Sequence, residues 1–179
     1  MDQYISNESE FSTGGLGIEL ESTIFIIMIL IPSIVSVLAL ISGGYLADSL
    51  IKKGFQVLIV RKTVNTIGFL GGATCLSMIP FQDSHISIII LLSFTNAFSG
   101  IAVGGYGVNH ADLGPKYTGS IVGFAGGIGM IAAIISPFVA GLILELTGSW
   151  FLIFNISTFV LVFGGLFYLF FADTKIQFK

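Results

Sequence analysis

Charge is what this sequence most conspicuously lacks. Only 9% of its 179 residues are Asp, Glu, Lys or Arg, where a soluble domain carries about a quarter. So few charges cannot clothe a surface in water, which excludes an ordinary soluble domain. The seven basic residues leave no cationic patch for nucleic acid. The single cysteine, Cys75, permits no internal disulfide and says nothing about redox compartment. The N-terminal stretch MDQYISNESEF is acidic and polar rather than basic and then apolar. It therefore does not read as a signal peptide.

What fills the chain instead is hydrocarbon. Hydrophobic residues make up 54% of it, and its mean hydropathy is +0.99. Five apolar stretches reach the roughly 20 residues needed to cross a bilayer core of about 30 Å. They fall at Thr23–Leu46, Val64–Phe81, Ile86–Val108, Tyr117–Leu144 and Trp150–Phe171. In lipid each backbone amide must be satisfied within its own segment, so all five are expected to be helices. The expected fold is thus an all-α membrane protein. Residues 1–22 form an acidic segment outside or in a lumen, and residues 23–179 form a five-helix transmembrane domain. The linkers KKGFQ, PFQDSH, HADLGPK and ELTGS are short and carry the turn residues.

The few charges sort by side once five spans alternate. Lys52, Lys53, Arg61, Lys62, Lys116, Lys175 and Lys179 all fall on one side. The other side holds Asp2, Glu8, Glu10, Glu19, Glu21, Asp83 and Glu145, with no Lys or Arg. Loops rich in Lys and Arg stay in the cytosol. The expected orientation therefore has the N-terminus outside or lumenal and the C-terminus cytosolic. Asn7-Glu8-Ser9 is an N-glycosylation sequon on the outer side, which makes Asn7 a candidate acceptor.

Three segments carry more than hydropathy. The first inner loop reads GGYLADSLIKKG, Gly43 to Gly54, and places Asp48 near Lys52, Lys53 and Arg61. An acid there can meet a basic side chain or the positive end of a helix. The second, NHADLGPKYTG, spans Asn109 to Gly119 and is the most polar island in the apolar part of the chain. Asn109 and Asp112 are placed to cap helix ends, Asp112 to pair with Lys116, and Pro115 to begin the next helix. Histidine changes charge near neutral pH, so His110 is a candidate pH sensor for gating. The third signal is a set of small residues. Gly119, Gly123 and Gly127 recur every four residues on the fourth span, and Gly100 and Gly104 form a similar pair on the third. Such stripes let helices approach closely, either inside this bundle or against another partner.

Other patterns carry no function. GIGMIA, Gly127–Ala132, matches a dinucleotide fingerprint but lies within a span, without a preceding strand. His85 and His110 fall on opposite sides of the membrane and cannot share a metal. No Ser-His-Asp or Cys-His arrangement can be assembled at a common depth, so no enzyme, metal site or cofactor is expected. None of the five stretches carries an ionisable residue in its interior. An ion-coupled carrier usually holds such groups within the membrane, so they would have to come from elsewhere.

The GxLAD-plus-basic loop resembles the cytoplasmic loop motif of major facilitator transporters. With IPSI, VRKTVNTIGF, GVNHADLGPKYTG, ISP and TKIQF in order, the chain resembles the anion:cation symporter family. That family includes sialin, vesicular glutamate transporters and sodium–phosphate cotransporters. Asn109, His110, Asp112, Pro115, Tyr117 and Gly119 match its Asn-His-x-Asp run. The resemblance implies that the five spans are helices 8–12 of a twelve-helix major facilitator fold. It implies a multi-pass protein of the plasma membrane or of an endolysosomal or vesicle membrane. It further implies a small anionic substrate, H+ or Na+ as coupling ion, and conformational or gating roles for Asp48, Lys52, Arg61, Asn109, His110, Asp112 and Lys116. Relatives often carry Asn-Thr where this chain has Gly126-Gly127, so substrate contacts from that turn are not expected here. Helices one to seven of the family fold have no counterpart, so the missing N-terminal half or a partner chain is expected to complete the transporter. Three readings follow from the resemblance: part of an anion symporter, a non-transporting chain that binds and regulates a full-length relative, and a half-transporter that works as a dimer.

Overall fold

The computed structural model describes the backbone of residues 2–174 and the side chains of residues 26–174 except residue 28. Asn7, Lys175 and Lys179 lie outside the described side chains. The helices are α1 (Asp2–Lys52), α2 (Val57–Met78), α3 (His85–Leu113), α4 (Thr118–Thr147) and α5 (Trp150–Phe171), with a short 3-10 turn at Ile79–Phe81 after α2. All five have the length and apolarity to cross a membrane. The chain is a multi-pass helical membrane protein.

The apolar stretches locate the helices but not all of their ends. Among the described residues the span within α1 runs on to Lys52, and those within α2 and α3 cover Val57–Phe81 and His85–Leu113. At one end of the bundle they run beyond the apolar stretches by up to about two turns. Hydropathy marks where side chains meet hydrocarbon, whereas a helix continues until its backbone is capped. α1 stops where Gly54 adopts a positive φ of 94°. There the Gly54 N–H donates to the Ile51 carbonyl at 2.9 Å and the Phe55 N–H to that of Leu50 at 3.3 Å. Gly148, with φ 64°, closes α4 in the same left-handed way. At the start of α5, Ser149 accepts from the Leu152 N–H at 3.3 Å.

Packing is built on glycine. α3 is central and lies against α1 on one side and α2 on the other, with α5 outside α2. A Cβ on Gly100 would lie 2.6 Å from the Ser36 carbonyl oxygen of α1, and one on Gly104 2.9 Å from that of Gly43. These are backbone contacts that only the absent side chain allows, and they stand in for the hydrophobic drive that lipid removes. Gly164 and Gly165 of α5 face Phe69 of α2. These two glycines seat the last span on α2. α4 differs from the rest. None of its residues is buried, and a Cβ on Gly119, Gly123 or Gly127 would meet nothing within 4 Å. Its small-residue stripe is not used within the described part of the chain.

Candidate functional site

The polar residues converge where α2 begins and α3 ends. The buried face of α2 runs Val60, Arg61, Val64, Asn65, Gly68, Gly72, Ala73, which follows a helical period. Arg61 is its fifth residue and only 4% exposed. From there its Nε donates to Asp112 Oδ2 of α3 at 3.1 Å, and its Nη1 donates to the Gly104 carbonyl at 3.0 Å. Gly105 sits directly behind this contact, since a Cβ on it would come within 2.6 Å of the Arg61 carbonyl oxygen and 2.7 Å of Asn65 Cβ. The Gly105 carbonyl accepts from the Tyr168 hydroxyl of α5 at 3.3 Å. Three helices are thus tied at two successive carbonyls of α3.

Physically this is a clamp. Within a low-dielectric interior an ion pair holds only if its remaining donors and acceptors are also satisfied. Asp112 neutralises Arg61 while the Gly104 carbonyl takes a second guanidinium proton. The planar guanidinium suits this fork and an ammonium would not. The clamp fixes the start of α2 to the end of α3 and, through Tyr168, to α5.

Several sequence expectations change here. Arg61 belongs to a span rather than to a loop, so the bundle does carry an ionisable residue inside it. Asp112 pairs with Arg61 and not with Lys116, because α3 continues to Leu113 and keeps Asp112 on the face turned to α2. Lys116 is exposed and sits 5.6 Å from the centre of the Tyr117 ring. Asn109 caps nothing, for it lies a turn inside α3 and is 5% exposed. His110 Nδ1 lies 3.0 Å from the Gly107 carbonyl oxygen. Pro115 falls in the turn before α4, where Thr118 donates to the Gly114 carbonyl at 3.0 Å. Asp48 and Lys52 are exposed on α1, and neither makes a hydrogen bond or ion pair among the described residues. The structure brings together Arg61 and Asp112 and leaves Asp48, Lys52, His110 and Lys116 apart. Asn65, Gly105 and Tyr168 were not singled out in the sequence. The spacing of Arg61, Asn65, Gly68 and Gly72 on one helical face was the available signal.

These features define a polytopic helical protein in which the start of α2 and the end of α3 are locked by a buried polar clamp. Comparison with known proteins gives the family. Sodium-dependent phosphate transport protein 3 of Mus musculus is 32% identical over 151 residues, which is 82% of this chain and 32% of that protein. Vesicular glutamate transporter 3 of Danio rerio is 31% identical over 150 residues, 82% of this chain and 25% of that protein. The chloroplastic sodium-dependent phosphate transport protein 1 of Arabidopsis thaliana is 34% identical over 116 residues, 65% of this chain and 22% of that protein. No family model matches the chain. The chain is a partial anion:cation symporter-like protein of the major facilitator superfamily. It spans about a fifth to a third of the length of these relatives.

Proposed function

We propose that the chain forms helices 8–12 of a transporter for small organic or inorganic anions, such as phosphate, glutamate or acidic sugars. It would work by alternating access coupled to H+ or Na+. The observation that carries the reading is the set of relatives, whose names place them among phosphate, glutamate and other anion transporters. The clamp supports it, since a major facilitator works by rocking one half against the other and needs inner helix ends that move as a unit. Arg61, Asp112 and Tyr168 hold that unit together. The open face of α4, with Gly119, Gly123 and Gly127, is where the other half would pack. The test is uptake of labelled phosphate, glutamate and sialic acid into proteoliposomes. The purified chain alone is compared with the chain co-assembled with the seven-helix N-terminal part of a relative. Uptake only in the co-assembled sample is the expected result; no uptake in either removes the transport reading.

The unoccupied glycine face also favours a second reading, a non-transporting chain that binds and regulates a full-length relative. Under that reading the chain co-purifies with the relative, and Gly123→Leu weakens the association. A chain that stays monomeric in the presence of the relative eliminates it.

A further inference from the structure

The seam between α2 and α3 contains polar groups that the clamp does not use. Asn65 is 0% exposed, yet neither its Oδ1 nor its Nδ2 has a hydrogen-bond partner among the described residues. It lies eight residues into α2, about 12 Å along the helix from Val57. Asn109 on α3 is also buried, and its Oδ1 is likewise without a partner. Gly105 stands between them, one turn before Asn109, with its backbone against both Arg61 and Asn65. Arg61 commits two of its five N–H donors to Asp112 and Gly104. The seam therefore holds two unclaimed carbonyl acceptors and an unclaimed amide donor. Unpaired amides are costly in an apolar surround, and buried polar groups are almost always paired with protein or ordered water.

The groups specify what joins them. The occupant must both donate and accept. A metal cation is disfavoured by the guanidinium one turn from Asn65, and an anion by Asp112, which already balances that guanidinium. We propose that the α2–α3 seam is a hydration site, in which buried water pairs with the Asn65 amide and the Asn109 carbonyl. The hydration is independent of which substrate is carried.

Water-edited solid-state NMR on the whole chain in liposomes tests this directly. Selective 15N labelling marks the five asparagine side chains, and Asn65→Leu identifies the Asn65 signal by its loss. Asn96 is the internal control, because it lies near the middle of α3 and its Nδ2 donates to the Leu92 carbonyl at 2.9 Å. Magnetisation from water is expected to reach the Asn65 amide several-fold faster than that of Asn96. Thermal unfolding of Asn65→Leu supplies a second readout. Removing a member of a satisfied network lowers the Tm, whereas removing a true orphan leaves it unchanged or raises it. An Asn65 amide as slow as that of Asn96, or a Tm unchanged or raised in Asn65→Leu, overturns the proposal. If that variant does not fold, position-by-position replacement of the other asparagines assigns the wild-type spectrum, and the transfer rate decides.

Discussion

Arg61 concentrates the energetics of the site in one side chain, and two substitutions separate charge from geometry. Arg61→Ala leaves Asp112 without its cation, and Asp112→Ala leaves a guanidinium nine-tenths buried without its anion. Each is expected to cost about 2–3 kcal/mol, somewhat below the 3–5 kcal/mol of a fully buried pair, because Asp112 is partly exposed. The double variant should recover part of that loss, and thermal melts of the four proteins in detergent give the coupling energy. A double variant as unstable as the sum of the singles means that the 3.1 Å contact carries no net coupling. Arg61→Lys should remain destabilised, since an ammonium cannot reach both Asp112 and the Gly104 carbonyl in the same fork. At this scale the sequence was only partly legible. Asp112 and Arg61 could each be marked as polar residues near helix ends, but their pairing joins positions 51 residues apart. Local spacing offers Lys116 as the obvious partner, and only the packing of α3 on α2 reveals the other.

Glycines decide which helices meet, and the five stripe residues divide into two groups. Gly100 and Gly104, together with Gly105, press α3 against the backbones of α1 and α2. A Cβ on Gly119, Gly123 or Gly127 would meet nothing within 4 Å. Gly105→Ala would drive a methyl to 2.6 Å from the Arg61 carbonyl oxygen, so a loss of about 1–3 kcal/mol is expected from overpacking. Gly123→Ala adds a methyl in open space, and replacing a mid-helix glycine should be neutral or stabilising by up to about 1 kcal/mol. Unfolding of both variants as purified chains checks the contrast; a Gly123→Ala variant destabilised as much as Gly105→Ala means that α4 packs where this structure leaves it free. Sequence periodicity found both stripes but could not distinguish them. A small-residue face states that something approaches closely, and it is silent on which surface does so. Helix existence was far more legible than helix ends, because hydrocarbon length imposes the first while capping by Gly54 and Gly148 sets the second.

The arrangement of the whole molecule follows from which ends touch. Arg61 on Asp112 places the start of α2 beside the end of α3, and Phe81 stacks edge-on against Phe151 at 5.8 Å at the opposite end. Lys52, Lys53, Arg61, Lys62 and Lys116 consequently share the clamp end, with Asp83 and Glu145 at the other. This separation of charge was readable from sequence because five spans of alternating direction leave only two places for a loop. What it predicts about orientation comes from the positive-inside rule, which assigns the clamp end to the cytosol. Cys75 is the only cysteine, so Cys75→Ser provides a background for single-cysteine variants at Lys53, Lys116, Asp83 and Ser149. In sealed cells or right-side-out vesicles, a membrane-impermeant maleimide should label Asp83→Cys and Ser149→Cys. Lys53→Cys and Lys116→Cys should react only after permeabilisation. Labelling of all four with the pairs exchanged would keep five spans and reverse the orientation. Labelling of Lys53→Cys together with Asp83→Cys would break the alternation itself, and with it the clamp as an inner-face device. The two failures are distinguishable because the first keeps the start of α2 and the end of α3 on one side of the membrane and the second does not.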